Sequence, residues 1–255
     1  MYLTKGQKDY NIKMLFKKIK SFIPIKYKSQ VKNYLKYLKT RSLKEFDSKA
    51  SYKAHNSEYE EKNSYQRVVE IHNLKSLHTE MKDGIWNNLY DSEESVGYFL
   101  DENKKIKNLI DIGSGTGWFV NYVALNYSNI NSIYAIEPSS AAIKISQQIN
   151  GENSKISYIN GFSDIELRKL QRDKYIVTTF AVFQHLNILY TKKVLKELDK
   201  ILKKDSTLYL SEPIANSRFD TFRLHYPRTK NFWKRNLKNY EVKFYNKNLI
   251  IARKK

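Results

Sequence analysis

The chain has 255 residues, 41% of them hydrophobic and 28% charged, which suffices for one large domain and excludes a wholly disordered chain. It contains no cysteine, which excludes disulfides, zinc–thiolate sites, iron–sulfur clusters and cysteine nucleophiles. Its net charge of +20 sits at the ends: residues 1–50 carry 14 basic and 3 acidic residues, residues 214–255 carry 12 and 2, and residues 51–213 carry 20 and 21. A balanced central domain thus lies between two basic flanks, which attract phosphates on nucleic acid, anionic lipid or a small substrate. A lysine-rich compositional bias is the competing source of the same charge. No run of 18 apolar residues predicts a membrane-spanning helix, and the basic start at Lys13–Lys20 leads into further lysines rather than a signal-peptide core. The expected location is the cytoplasm, with peripheral contact to the anionic inner membrane face open to the flanks.

Residues 12–39 form a basic amphipathic segment, with Leu15, Ile19 and Phe22 at helical spacing, a break at Pro24, and Val31, Leu35 and Leu38 beyond it. It suits a membrane surface or a helical pair packed on the domain. Residues 40–64 are polar and read as a linker or lid, so the division expected is a helical extension over 1–64 and a domain over 65–255. Residues 65–100 have helical spacing. From residue 106 short apolar runs alternate with amphipathic segments. Strands are expected at Leu109–Ile112, Ser132–Ile136, Ile156–Ile159, Tyr175–Phe183 and Thr207–Ser211. Helices are expected at 118–127, from Pro138 onward with Ala141, Ala142, Ile145 and Ile149 inward, at 164–171, at 191–203 and at 228–238. Tyr240–Tyr245 and Leu249–Arg253 read as a terminal hairpin. The alternation predicts an α/β fold with a mostly parallel sheet covered on both faces.

The chemistry concentrates in Asn108–Val120, where a buried strand runs into Gly113-x-Gly115-x-Gly117 and then a helix. Glycines there let the chain turn tightly and let a ligand lie against backbone without meeting a Cβ. Glu137 stands twenty residues beyond Gly117, at the end of the second strand, where a carboxylate can accept from both ribose hydroxyls of a nucleoside. A dinucleotide fingerprint is not met, because Trp118 follows Gly117 and obstructs a pyrophosphate. Asp111, two residues before the first glycine, suits a ligand with positive charge, such as a sulfonium or an α-amino group. A strand-end carboxylate bonding loop amides is the plainer role.

These residues resemble class I S-adenosylmethionine-dependent methyltransferases, over about residues 86–255. Asp111-Ile-Gly-Ser-Gly-Thr-Gly117 matches the glycine-rich first motif, and Ile136-Glu137-Pro138-Ser139 the ribose-binding second motif. Asn160-Gly161-Phe162-Ser163 sits where the family contacts adenine, and Ala181–Leu186 resembles the segment after the fourth strand. The resemblance implies a Rossmann-like seven-stranded sheet with a terminal antiparallel hairpin, and S-adenosylmethionine as cofactor. It places Asp111, Gly113, Ser114, Gly115, Gly117, Glu137, Pro138, Phe162, Ser163 and Phe180 around that cofactor. The family's usual Asp after Gly161 is Phe162 here, so adenine is left to backbone, Ser163 or Asp164. Lys174-Tyr175 replaces the Asp that opens the fourth strand, and Lys204-Asp205-Ser206 replaces a Pro-Gly-Gly turn.

On the acceptor side His185 is the candidate general base for a hydroxyl, against a role in fixing its loop. Glu212, after the fifth strand, is a candidate to orient the acceptor, against a role as a loop carboxylate. Arg218, Arg223 and His225, with Arg228 nearby, are candidates to bind a phosphate, against a solvated basic face. Tyr52, Tyr59, Tyr65 and Trp86 are candidates to line the cofactor from the amino-terminal side. No metal site is expected, and the absent cysteine and Asn-Pro-Pro-Tyr motif set aside cytosine carbon-5 and exocyclic amines as acceptors. The expected reaction is oxygen methylation of a small or glycan-precursor acceptor, a sugar or sugar phosphate of bacterial surface polysaccharide. Competing readings are an RNA methyltransferase using the basic flanks, and a binding protein without catalysis.

Overall fold

The computed structural model describes residues 96–255 except 152, 187, 217–226 and 246. The basic extension, the 64/65 boundary, the helical reading of 65–95 and the four amino-terminal aromatics lie outside the described residues.

Helix α1 (Val96–Glu102) leads into strand β1 (Asn108–Ile112), followed by α2 (Trp118–Asn126), β2 (Ser132–Glu137), α3 (Ser140–Asn150) and β3 (Ile156–Asn160). The one-turn helix α4 (Ser163–Glu166) and a 3-10 turn (Leu167–Lys169) return the chain to β4 (Ile176–Phe180). A second 3-10 turn (Phe183–His185), α5 (Ile188–Ile201) and β5 (Thr207–Ser211) follow. A short pair, β6 (Ile214–Ala215) and β7 (Arg228–Thr229), precedes α6 (Lys230–Asn236) and the strands β8 (Tyr240–Phe244) and β9 (Leu249–Lys254).

Seven strands form one sheet in the order β3-β2-β1-β4-β5-β9-β8. The first five pair in parallel, and β9 enters antiparallel between β5 and β8. This is the predicted Rossmann-like sheet with its terminal hairpin. The central strands are apolar at nearly every position because both faces are covered. Side chains alternate between faces, so neighbours on one strand join different cores. Ile110, Ile112, Val177, Leu208 and Leu210 pack with Val194, Leu195, Leu198 and Ile201 of α5 and with Trp233. Leu109, Ile133, Ile176 and Tyr209 pack with Val96, Phe99 and Leu100 of α1 and with Phe119, Val120 and Val123 of α2.

Several boundaries differ from the sequence reading, most by one or two residues. β4 ends at Phe180 rather than Phe183, because Ala181 takes a left-handed φ of 58° and the chain turns there. α3 starts at Ser140 rather than Pro138, because the Ser139 hydroxyl caps it by accepting from the Ala142 amide at 3.2 Å. α5 begins at Ile188 rather than 191. Residues 228–229, expected to be helical, pair in parallel with Ile214–Ala215, and α6 opens after Thr229, whose side chain accepts from the Phe232 amide.

The strand order places the site. From β1 the chain steps outward through β2 to β3, then crosses back to β4 and continues outward through β5. The connections leaving β1 and β4 therefore run in opposite directions, opening a crevice at their carboxyl ends. Trp233, fully buried, packs edge-on against Phe183 with ring centroids 5.5 Å apart, and so props one wall of that crevice. Replacing Trp233 by Ala is expected to cost about 3–5 kcal/mol of stability, read as a lower urea midpoint with unchanged slope.

Candidate functional site

The glycine loop is built from backbone. The amides of Gly113 and Ser114 both donate to the carbonyl of Ile136, at 2.8 and 3.2 Å, so the end of β2 holds the turn leaving β1. Gly113, Gly115 and Gly117 have φ of 71°, 55° and 75°, a region that L side chains rarely adopt. At Gly113 the reason is also contact: an added Cβ would lie 2.5 Å from Val182 Cγ2, so the loops after β1 and β4 touch there.

Two carboxylates meet at this loop. Glu137 is 9% exposed, and its oxygens accept from the Gly115 amide at 3.0 Å and the Ser139 amide at 2.8 Å. One acid thereby links the glycine loop to the cap of α3. Asn160 fixes the backbone beneath it, donating to the carbonyls of Glu137 and Pro138 at 3.1 and 2.9 Å. Asp111 is 2% exposed and accepts from the Thr178 hydroxyl of β4 at 2.7 Å. Burial pushes its carboxyl up to about 7, against the Thr178 bond and with help from the neighbouring charge of Glu137. A protonated acid in that position is a site that a cation would ionise.

The wall after β4 is held by a third carboxylate. Glu212, 1% exposed, accepts from the Thr179 hydroxyl and from the amides of Val182, Phe183 and Gln184, at 3.0, 2.8, 3.0 and 3.2 Å. Its oxygens face the loop backbone, and its action is to brace residues 182–184. Burial pushes this carboxyl up to about 7 in spite of the four donors. His185 ends that loop, half-buried, with Nε2 at 3.3 Å from Gln184 Nε2. Gln184 Nε2 also donates to the Ala181 carbonyl at 3.2 Å, which orients its amide. The two nitrogens lie within hydrogen-bond reach, with their roles set by the imidazole tautomer.

The structure brings Asp111, the glycine loop, Ser114, Glu137, Pro138 and the His185 loop to one end of the sheet. Phe162 precedes α4 there, with Ser163 and Asp164 buried, and its ring meets Tyr190 of α5 edge-on at 6.4 Å. Phe180 stands at the end of β4, and its ring packs among Trp118, Phe119 and Tyr209 at 4.8–6.0 Å. Arg228 is 7% exposed and donates to the Leu186 carbonyl, so it points into the loop that carries His185 rather than onto a solvated face. Arg218, Arg223 and His225 lie outside the described residues. Sequence reading missed Thr178 and Thr179, adjacent on β4 and serving different acids. Two consecutive threonines in a fully buried strand were the available signal. Among the described residues no group of three or more His, Asp or Glu could hold a metal, and no helix is long and apolar enough to cross a membrane.

A raised acid binds its proton more tightly in the folded than in the unfolded chain. The linked stability is full below the unfolded value near 4.5 and is lost as pH rises toward 7. The stability difference between wild type and Glu212→Gln is therefore expected to fall by about 3 kcal/mol from pH 4 to 7 in urea titrations. A flat difference would show that the carboxyl titrates normally.

A family model described as a methyltransferase domain matches residues 88–247. A structure from Nostoc punctiforme, described as a candidate O-methyltransferase, has a TM-score of 0.51 at 14% identity, covering 62% of this chain and 54% of that one. CalS10 of Micromonospora echinaspora, an amino pentose methyltransferase of calicheamicin biosynthesis solved with S-adenosylmethionine bound, has a TM-score of 0.51 at 12% identity, covering 62% and 88%. At such identities the likeness is one of fold. The chain spans about half the length of the first solved structures it matches, 54% and 47%. No curated protein matches it.

Proposed function

We propose a reaction for this chain, which belongs to the methyltransferase-domain family: S-adenosylmethionine-dependent transfer of a methyl group to an oxygen of a small polar acceptor. The observation that carries the reading is a buried Asp111 at the foot of a positive-φ glycine loop, with Glu137 beside it. The residues fit the cofactor. Gly113, Gly115 and Gly117 present backbone without side chains. Asp111 offers a carboxylate that an α-ammonium group would ionise and pair. Glu137 is held by the amides of Gly115 and Ser139 at the end of β2, where a carboxylate can accept from ribose hydroxyls. Ser163, Asp164 and the Phe162 backbone stand where the adenine would lie.

When bound, S-adenosylmethionine supplies an electrophilic methyl on a sulfonium, so the protein's work is positioning and removal of one acceptor proton. Glu212 sets the loop after β4 through four hydrogen bonds, and Arg228 holds its far end at Leu186. His185 ends that loop, beyond the carboxyl end of β4. Nε2 of His185 lies beside the Gln184 amide, so an acceptor hydroxyl reaching it must take that amide's place. The acceptor class we favour is a sugar or sugar phosphate of bacterial surface polysaccharide, handled in the cytoplasm. The basic segment 214–255 supports it, as does the sharing of this fold with an amino pentose methyltransferase.

Glu137→Ala is expected to weaken S-adenosylhomocysteine by about 1–3 kcal/mol in calorimetry, and Gly115→Val to abolish binding. Wild-type affinity in both would sink the cofactor assignment. His185→Ala is expected to lower turnover by about 10²–10⁴-fold with cofactor affinity kept, and to erase the rise of rate with pH that marks loss of the imidazole proton. An unchanged pH–rate profile at near-normal turnover would remove His185 from the mechanism.

A further inference from the structure

The helix that leaves the site, α5, has a face that the fold does not use. Thr191, Val194, Leu195, Leu198 and Ile201 turn inward. At about 100° per residue Leu189, Lys193 and Lys196 lie opposite that face, with Lys192 and Ile188 on its flank. Leu189 is 69% exposed and Ile188 is 41% exposed. Ile165, on the neighbouring α4, is 49% exposed. Three of the four large aliphatic side chains exposed among the described residues lie on α4 and α5, Leu125 of α2 being the fourth, and α5 begins directly beyond the loop of His185. The three lysines are exposed, and none makes an ion pair among the described residues. By contrast Lys200, one turn further, is neutralised by Glu197 at 2.9 Å.

We propose that this face of α5, with Ile165 beside it, docks on an anionic lipid bilayer and brings the mouth of the site to the membrane surface. The order of residues fits that surface. Ile188 and Leu189 supply the apolar tip that enters the headgroup boundary, and Lys192, about one turn or 6 Å along the axis, reaches phosphate level. Unpaired lysines gain from an anionic leaflet, whereas lysines already bound to acids do not. The chain's net charge of +20 adds a long-range attraction of the same sign. RNA would satisfy the lysines but leave the aliphatic tip in water, since single strands are held by aromatic stacking and arginine. The surface stands apart from the acceptor reading, because it involves no residue of the cofactor or base machinery.

The test uses the full chain carrying Leu189→Trp, with wild-type tryptophan emission subtracted. Vesicles of phosphatidylcholine alone are compared with vesicles that also contain phosphatidylglycerol. The expected result is a blue shift of the emission from the introduced indole with anionic vesicles only, weakened at high salt. Lys192→Ala, Lys193→Ala and Lys196→Ala together are expected to lower anionic-vesicle partition about a hundredfold, with S-adenosylhomocysteine affinity unchanged as a check of fold. No shift at position 189, or equal partition of the triple variant, would overturn the proposal and place any membrane contact elsewhere on the chain. Salt-sensitive retention of RNA that the triple variant loses, without a vesicle response, would overturn it in favour of nucleic acid.

Discussion

A carboxylate buried where two parallel strands part is the constraint on which the site depends. Asp111 of β1 and Thr178 of β4 lie side by side in the ladder, and the hydroxyl reaches the carboxylate at 2.7 Å. Beyond them the two connections diverge. Glu137 approaches from β2 and adds its negative charge. Burying one acid beside another costs free energy unless a proton or a cation compensates. The proton compensates in the free chain, and a cationic ligand group would take its place. The glycine loop is the consequence, because a ligand can settle onto Asp111 only if the chain above it has no side chains in the way.

Burial raises Asp111 and Glu212 to the same region, about 7, yet their surroundings assign them opposite work. Glu212 has four donors, three of them amides of a single loop, and its carboxylate is used up in shaping that loop. Asp111 has one hydroxyl among the described residues. A perturbed carboxyl is thus a pointer to function only after its hydrogen-bond partners have been counted. The close approach of Gly113 to Val182 couples the two: the loop that Glu212 shapes is the loop that forbids a side chain at the first glycine.

The sheet and the glycine loop were legible because their causes are local. Short apolar runs, positive-φ glycines and an acid at a fixed interval from them are written along one stretch of chain. The site's braces were not, because they join residues far apart in sequence. Thr179 and Glu212 lie 33 positions apart, and Arg228 and Leu186 lie 42 apart. The end of β4 misled for another reason. Tyr175–Phe183 is strand-favouring at every position but Ala181, and the left-handed turn there, held by its amide bond to the Ser211 carbonyl, stops the strand at Phe180. Phe180 followed the motif's position but turned its ring into the aromatic core, a choice of face that alternation along β4 determines and a motif does not state.

The central claim is that Asp111 holds a proton until a cationic ligand displaces it. Calorimetry of S-adenosylhomocysteine binding in buffers of different ionisation enthalpy measures that proton directly. The account predicts release of about one proton near pH 6, falling toward zero above pH 8 as the carboxyl near 7 ionises beforehand. It also predicts weaker binding and no such release in Asp111→Asn. Binding that releases no proton at any of these pH values, with Asp111→Asn at wild-type affinity, would contradict it.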